Sequence, residues 1–203
     1  PVPSEFQPLD AHERARVRAQ YAPGAGAVLL NVKRLHLLGD QATLLEALAR
    51  VRRQRGDARL LVAGAGEEEA ALKARAAALS LGDAVRFLGL VPNAEVARLQ
   101  AAADVFVLSS VLEATPTVAL EALASGTPVV STDNPGGLEL HDLLGDDVTV
   151  VPRQDPEALA GALLAFLERP RRVAADTLRR VAERFSAASV VERYLELYRQ
   201  AAA

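Results

Sequence analysis

The sequence predicts an α/β fold: a parallel sheet of about six strands with helices over both faces. Three observations carry this. Short, continuously apolar runs alternate along the chain with longer segments of helical period, as expected of strands buried on both faces and joined by right-handed crossovers. Gly, Pro, Asn or Asp punctuates nearly every junction. A length of 203 residues at 50% hydrophobic content supplies one substantial core.

The chain opens extended. Ala11 to Tyr21 then reads as a charged helix, ended by Pro23-Gly24-Ala25-Gly26. Ala27 to Val32 is the first strand. Gln41 to Arg55 follows as a helix with Leu44, Leu45, Leu48 and Val51 at helical spacing. Arg59 to Ala63 is the second strand. Glu67 to Ser80 is the next helix, with Glu67, Glu68 and Glu69 in its first turn, where they suit the helix dipole. Val85 to Leu90 is the third strand, and Asn93 is expected to cap a helix reaching Ala103. Asp104 to Leu108, Pro128 to Ser131 and Val148 to Val151 are the remaining strands. Asp155 to Arg169, Pro170 to Phe185 and Ser186 to Ala203 read as three closing helices. No repeat or low-complexity linker divides the chain, so it is read as a single domain, 1–203.

The stretch Val111 to Gly126 follows the fourth strand and concentrates the chemistry. Pro116 has φ preset for a first helical position and Thr115 before it can cap, so a helix is expected to begin there. The amides of Thr117, Val118 and Ala119 would then lack intrahelical acceptors. With the positive end of the dipole they would form a cradle for a phosphate. Glu113 and Glu121 frame that cradle. Glu121 interrupts an apolar run, Val118-Ala119-Leu120 and Ala122-Leu123-Ala124, and a carboxylate there is expected to have partners.

In open parallel sheets ligands bind beyond the carboxyl ends of the strands, where the strand order reverses. Lys33-Arg34-Leu35-His36, Gly64-Ala65-Gly66, Val91-Pro92-Asn93 and Asp133 to Gly137 all stand at such ends. By position Arg34 reads either as a guanidinium that pairs with two phosphate oxygens or as a surface arginine. Gly64-Ala65-Gly66 does not complete a dinucleotide fingerprint, because Glu69 stands where the third glycine belongs. Gly136-Gly137 is read as a turn. Ser109-Ser110 lacks a nucleophile setting, and His141-Asp142 with Glu139 reads as helix surface. No Asp-x-Asp and no His pair at ligand spacing occurs, so no metal site is expected.

Twenty-three basic against 26 acidic side chains leave a net charge of −3, which gives no global attraction to nucleic acid. Cysteine is absent, which removes disulfides and thiol catalysis. With no apolar run of membrane-spanning length and no leader, the chain is expected to be soluble and cytoplasmic. Methionine is absent too, and the chain is read as a fragment.

Ala103 to Ser110, then Glu113-Ala-Thr-Pro-Thr-Val-Ala-Leu-Glu121-Ala, then Ala124-Ser-Gly-Thr-Pro-Val-Val130, resembles the donor-binding half of retaining GT-B glycosyltransferases of family 4. Val2 to Pro8 is similar to that family's interdomain linker, Val85 to Gly89 and Gly136 to Glu139 fall in order, and Phe185 to Tyr198 resembles its closing helix. The resemblance implies a Rossmann-like, doubly wound sheet forming the C-terminal half of a GT-B fold. In it 1–26 are linker and leading helix, 27–169 the core and 170–203 the closing helices. It further implies a nucleoside diphosphate sugar as donor, no metal and no other cofactor. The missing partner is an N-terminal acceptor-binding domain, and the full-length enzyme, of polysaccharide or glycolipid biosynthesis, is placed at the membrane periphery.

By the same resemblance Glu113, with the backbone at Ala114 and Thr115, would hold donor-sugar hydroxyls. Thr117 and Val118 would bind the β-phosphate, Glu121 the ribose, and Arg34 would neutralise the leaving diphosphate, with Glu113 and Arg34 the catalytic pair. Two departures stand out. Ala114-Thr115 replaces the family's Gly-Phe, and Gly39-Asp40 stands where the family carries a lysine, while Lys33 replaces its usual glycine. Lys33 is therefore a candidate for the second diphosphate contact. The alternatives are a non-catalytic nucleotide-binding or regulatory domain that kept the cradle, and an Ala/Leu-rich interaction scaffold.

Overall fold

The computed structural model describes residues 1–201, so Ala202 and Ala203 of the expected last helix lie outside the described residues. Strands β1 (Ala27–Val32), β2 (Ala58–Ala63), β3 (Val85–Gly89), β4 (Val105–Leu108), β5 (Val129–Thr132) and β6 (Val148–Val151) form one parallel sheet in the order β3-β2-β1-β4-β5-β6. The helices are α1 (Ala11–Tyr21), α2 (Gln41–Gln54), α3 (Glu69–Ala78), α4 (Asn93–Ala102), α5 (Thr117–Ala124), α6 (Pro135–Leu144), α7 (Pro156–Glu168), α8 (Ala175–Phe185) and α9 (Ala187–Ala201).

Strand alternation divides the core into two layers. Val28, Leu30, Phe106 and Leu108 pack with α1, α4, α5, α6 and α8; Ala27, Leu29, Val105 and Val107 pack with α2, α3 and α7. Both faces are dry, which is why the strands read as unbroken apolar runs rather than as alternating ones.

The strand order reverses between β1 and β4, and there the main-chain register covers only Leu29 with Val105 and Leu30 with Phe106. Beyond it the buried Asn31 takes over. Its Nδ2 donates to the Val107 carbonyl at 2.9 Å, and its Oδ1 accepts from Gln41 Nε2 at 3.5 Å. Side-chain amides thus replace strand pairing where the strands part, and the Val107 carbonyl keeps a donor as the crevice opens.

Several boundaries depart from expectation for local reasons. Helix α3 starts at Glu69; Glu67 and Glu68 lie in the preceding turn, where the Glu68 amide donates to Leu35 O at 3.1 Å. Asn93 is the first residue of α4, with Pro92 in the capping place and no side-chain cap. Residues 170–174 are not helical. Arg171 pairs with the buried Asp147, the Ala174 amide donates to Asp147 Oδ2 at 2.9 Å, and Arg172 donates to the carbonyls of Ala101, Ala103 and Ser125. These ties hold the segment extended and delay α8 to Ala175.

Gly136 and Gly137 are not a turn but the first turn of α6, behind Pro135 and the Asn134 cap. A Cβ on Gly136 would lie 2.6 Å from Pro116 Cδ, and one on Gly137 2.3 Å from Ser131 Oγ. No helix among the described residues is long and apolar enough to cross a membrane.

Candidate functional site

A cleft of about 480 Å³ opens at the carboxyl ends of β1, β2 and β4, on the crevice at the reversal. Lys33, Arg34, Glu113, Thr115, Thr117, Val118 and Glu121 all line it. Ala114 is outside the lining and exposed; a Cβ on Gly136 would come within 3.0 Å of its carbonyl oxygen.

The loop between β4 and α5 is pinned from four sides. Thr132 Oγ1 donates to Ser110 O at 2.6 Å, and the Val111 amide donates to Leu38 O at 2.9 Å. Arg153 Nη1 donates to Val111 O at 3.2 Å, and the Gly136 amide to Glu113 O at 2.9 Å. Only a glycine at 136 permits that last approach. Drawn against Gly136, Pro116 holds ψ at 80°, outside the helical region.

Helix α5 therefore begins at Thr117, with Pro116 as its cap and no side-chain capping bond from Thr115. The amide inventory changes with it. Thr117 N–H donates to Thr115 O at 2.9 Å and Ala119 N–H to Pro116 O at 3.0 Å. Of the three amides expected to be free, Val118 alone keeps no backbone acceptor among the described residues, and Val118 lines the cleft at the positive end of α5.

Glu121, one turn on, is half-buried, and among the described residues its side chain has no hydrogen-bond or ion-pair partner. Burial first, and the charge of Glu5 second, push its pKa up to about 7. A carboxylate held this way inside a cleft is an acceptor awaiting donors.

The two basic residues in the lining are both engaged by acids. Lys33 Nζ reaches from the end of β1 to Glu113 Oε1, with side-chain exposures of 23% and 15%. Burial holds the Lys33 ammonium below its usual pKa. Arg34 is 73% exposed and meets Glu67 at 3.3 Å, while His36 Nε2 lies 3.5 Å from the same carboxylate. Glu67 thus answers Arg34 and the His36 ring in the loop after β1 rather than a helix dipole. Gly39 and Asp40 offer no cation: the Gly39 carbonyl accepts from Ser109 Oγ at 2.8 Å, and Asp40, at φ 46°, accepts from the Thr43 amide as the cap of α2. Among the described residues no group of three His, Cys, Asp or Glu could hold a metal ion.

Sequence reasoning missed Asn31, Gln41 and the role of Gly136. The first two read as ordinary polar residues at element ends. The glycine pair was visible, but a turn and a close approach leave the same mark.

Residues 14–184 match the family described as "Glycosyl transferases group 1". The chain is similar to the D-inositol 3-phosphate glycosyltransferase of Corynebacterium urealyticum, at 36% identity over 198 residues, covering 93% of this chain and 46% of that protein. It is 34% identical over 173 residues to the GDP-mannose-dependent alpha-(1-6)-phosphatidylinositol monomannoside mannosyltransferase of Mycolicibacterium smegmatis, covering 82% and 45%. Among solved structures, the sucrose-phosphate synthase of Thermosynechococcus elongatus superposes with a TM-score of 0.82 at 30% identity, over 98% of this chain and 51% of that one. The chain spans about half the length of the curated relatives it matches.

Proposed function

The chain belongs to the group 1 glycosyl transferases, and from that premise we propose that it is the donor-binding half of a retaining, metal-independent enzyme that moves a sugar from a nucleoside diphosphate to an acceptor hydroxyl. The observation that carries this reading is Glu121: a half-buried carboxylate that has no partner among the described residues, one turn from a Val118 amide that likewise has none, in the crevice of a reversing parallel sheet. A ribose diol supplies two O–H donors for the carboxylate, and a phosphate one turn away meets the amide and the dipole of α5. The GDP-mannose dependence named for the Mycolicibacterium smegmatis relative supports a nucleoside diphosphate sugar as the ligand class.

In the transfer step the acceptor hydroxyl oxygen bonds to the anomeric carbon as the bond from that carbon to the β-phosphate oxygen breaks, negative charge grows on the leaving diphosphate, and the diphosphate takes up the hydroxyl proton. The Val118 N–H, the helix terminus, Arg34 and Lys33 stand where that charge develops, so the chain's own groups do the work otherwise given to a cation. Glu113, with Thr115 beside it, would orient the sugar through its hydroxyls. The remaining half of the relatives' length would supply the acceptor wall. A cytoplasmic enzyme working at the membrane periphery fits the lipid-linked acceptor in the name of that same relative.

Calorimetric titration with uridine, guanosine and adenosine diphosphates, with and without EDTA, tests this. At least one should bind saturably and with the same affinity in EDTA. Binding of none, or binding abolished by EDTA, would contradict the reading.

A further inference from the structure

We infer that Lys33 and Glu113 form a donor-operated switch: an arriving diphosphate draws the Lys33 ammonium off Glu113, and only then are both oxygens of that carboxylate open to the hydroxyls of the donor sugar. The inference rests on the cleft being the donor site.

The two residues face each other across the parting of β1 and β4, and each is mostly buried. The same Glu113 oxygen that meets Lys33, Oε1, also accepts from Ser110 Oγ at 3.4 Å, so the protein itself holds one of the two carboxylate oxygens a sugar would need. The backbones on both sides are fixed. The Lys33 amide donates to Ala63 O at 3.0 Å, its carbonyl packs on Gly64 where a Cβ would sit 2.0 Å away, and the Glu113 carbonyl is held by Gly136. The freedom left is in the long Lys33 side chain, which can re-aim its point charge without moving the loop.

Among the described residues the cleft lining offers one other cation, Arg34. Arg34 is exposed and met by Glu67, and the loop at Gly39 and Asp40 turns its polar groups toward Ser109 and Thr43. Lys33 is the less exposed of the two lining cations, and a low-dielectric setting strengthens its pull on a phosphate. Moving it leaves Glu113 as a buried, unpaired charge, which is costly until hydroxyl donors replace the ammonium. A nucleoside diphosphate bearing its sugar brings those donors; the bare diphosphate does not. The exchange therefore favours the loaded donor over the spent product.

The test is a double-mutant cycle read by calorimetry, comparing nucleoside diphosphate with monophosphate of the base that binds best. In Glu113→Gln the switch is already released, and the diphosphate-to-monophosphate affinity ratio should rise about tenfold, the scale of one charge-assisted hydrogen bond. In Lys33→Met the ratio should fall, and adding Glu113→Gln to it should change the ratio by less than about twofold. Lys33→Arg, which keeps the charge, should keep the tenfold response to Glu113→Gln. Equal gains with and without Lys33 would mean that Glu113 merely repels phosphate, and would overturn the switch alone. A wild-type protein that binds no nucleotide would overturn the donor-site reading and the switch with it.

Discussion

Glu121→Ala should abolish the protein's sensitivity to the ribose hydroxyls of its nucleotide. The carboxylate has no partner among the described residues, and its pKa of about 7 leaves it ionised at pH 8. Hydrogen bonds to a charged group contribute roughly 1.5–3 kcal/mol, so a 2′,3′-dideoxy nucleotide should bind the intact protein about tenfold to a hundredfold more weakly than the parent compound. In Glu121→Ala the acceptor is gone, and the same removal should cost almost nothing, because the two changes act on one interaction. Glu113→Ala should retain the full ribose penalty while losing the preference for sugar-linked over bare diphosphate. Isothermal titration of both nucleotides against all three proteins measures this. Equal ribose penalties in wild type and Glu121→Ala would refute the assignment.

Acidity should act through the same residue. Its pKa rises from an ordinary 4.5 to about 7 on folding, so the stability it contributes is fully present below pH 4.5 and is lost as pH climbs through about 7. Glu121→Gln should flatten that part of the pH–Tm curve; an unchanged curve would contradict it. The ribose-dependent part of nucleotide affinity should move the other way, growing as pH rises through about 7 in the wild type and not in Glu121→Gln. Gly136→Ala forces a Cβ to within 2.6 Å of Pro116 Cδ and should destabilise by about 1–3 kcal/mol. A thermal melt should show this as a drop of roughly 2–4 °C per kcal/mol at this chain length. An unchanged melt would mean that α6 yields freely.

The sheet was legible because its strands are buried on both faces: Ala27–Val32 and Val105–Leu108 cannot be read as anything amphipathic. The residues around the cleft were legible as well, since ligand sites in such sheets gather at strand ends and the Pro116 helix start marks one of them. What the residues do to one another was not. Lys33 and Glu113 are 80 positions apart and meet only because β1 and β4 are neighbours, which no local pattern reveals. The count of free amides at α5 failed for a similar reason. It depended on ψ of Pro116, which proline's preset φ does not fix and which lies at 80° where Pro116 packs against the distant Gly136. Helix α8 shows the same limit, its start delayed by Asp147 and Arg171 from opposite ends of a tertiary contact.

The most direct test of the donor site is a crystal structure of this chain with the nucleoside diphosphate that binds it best. The ribose hydroxyls should lie within hydrogen-bond distance of the Glu121 carboxylate, and a β-phosphate oxygen should accept from the Val118 amide. A nucleotide bound outside the cleft, or one whose ribose turns away from Glu121 while its phosphates miss Val118, would contradict the account.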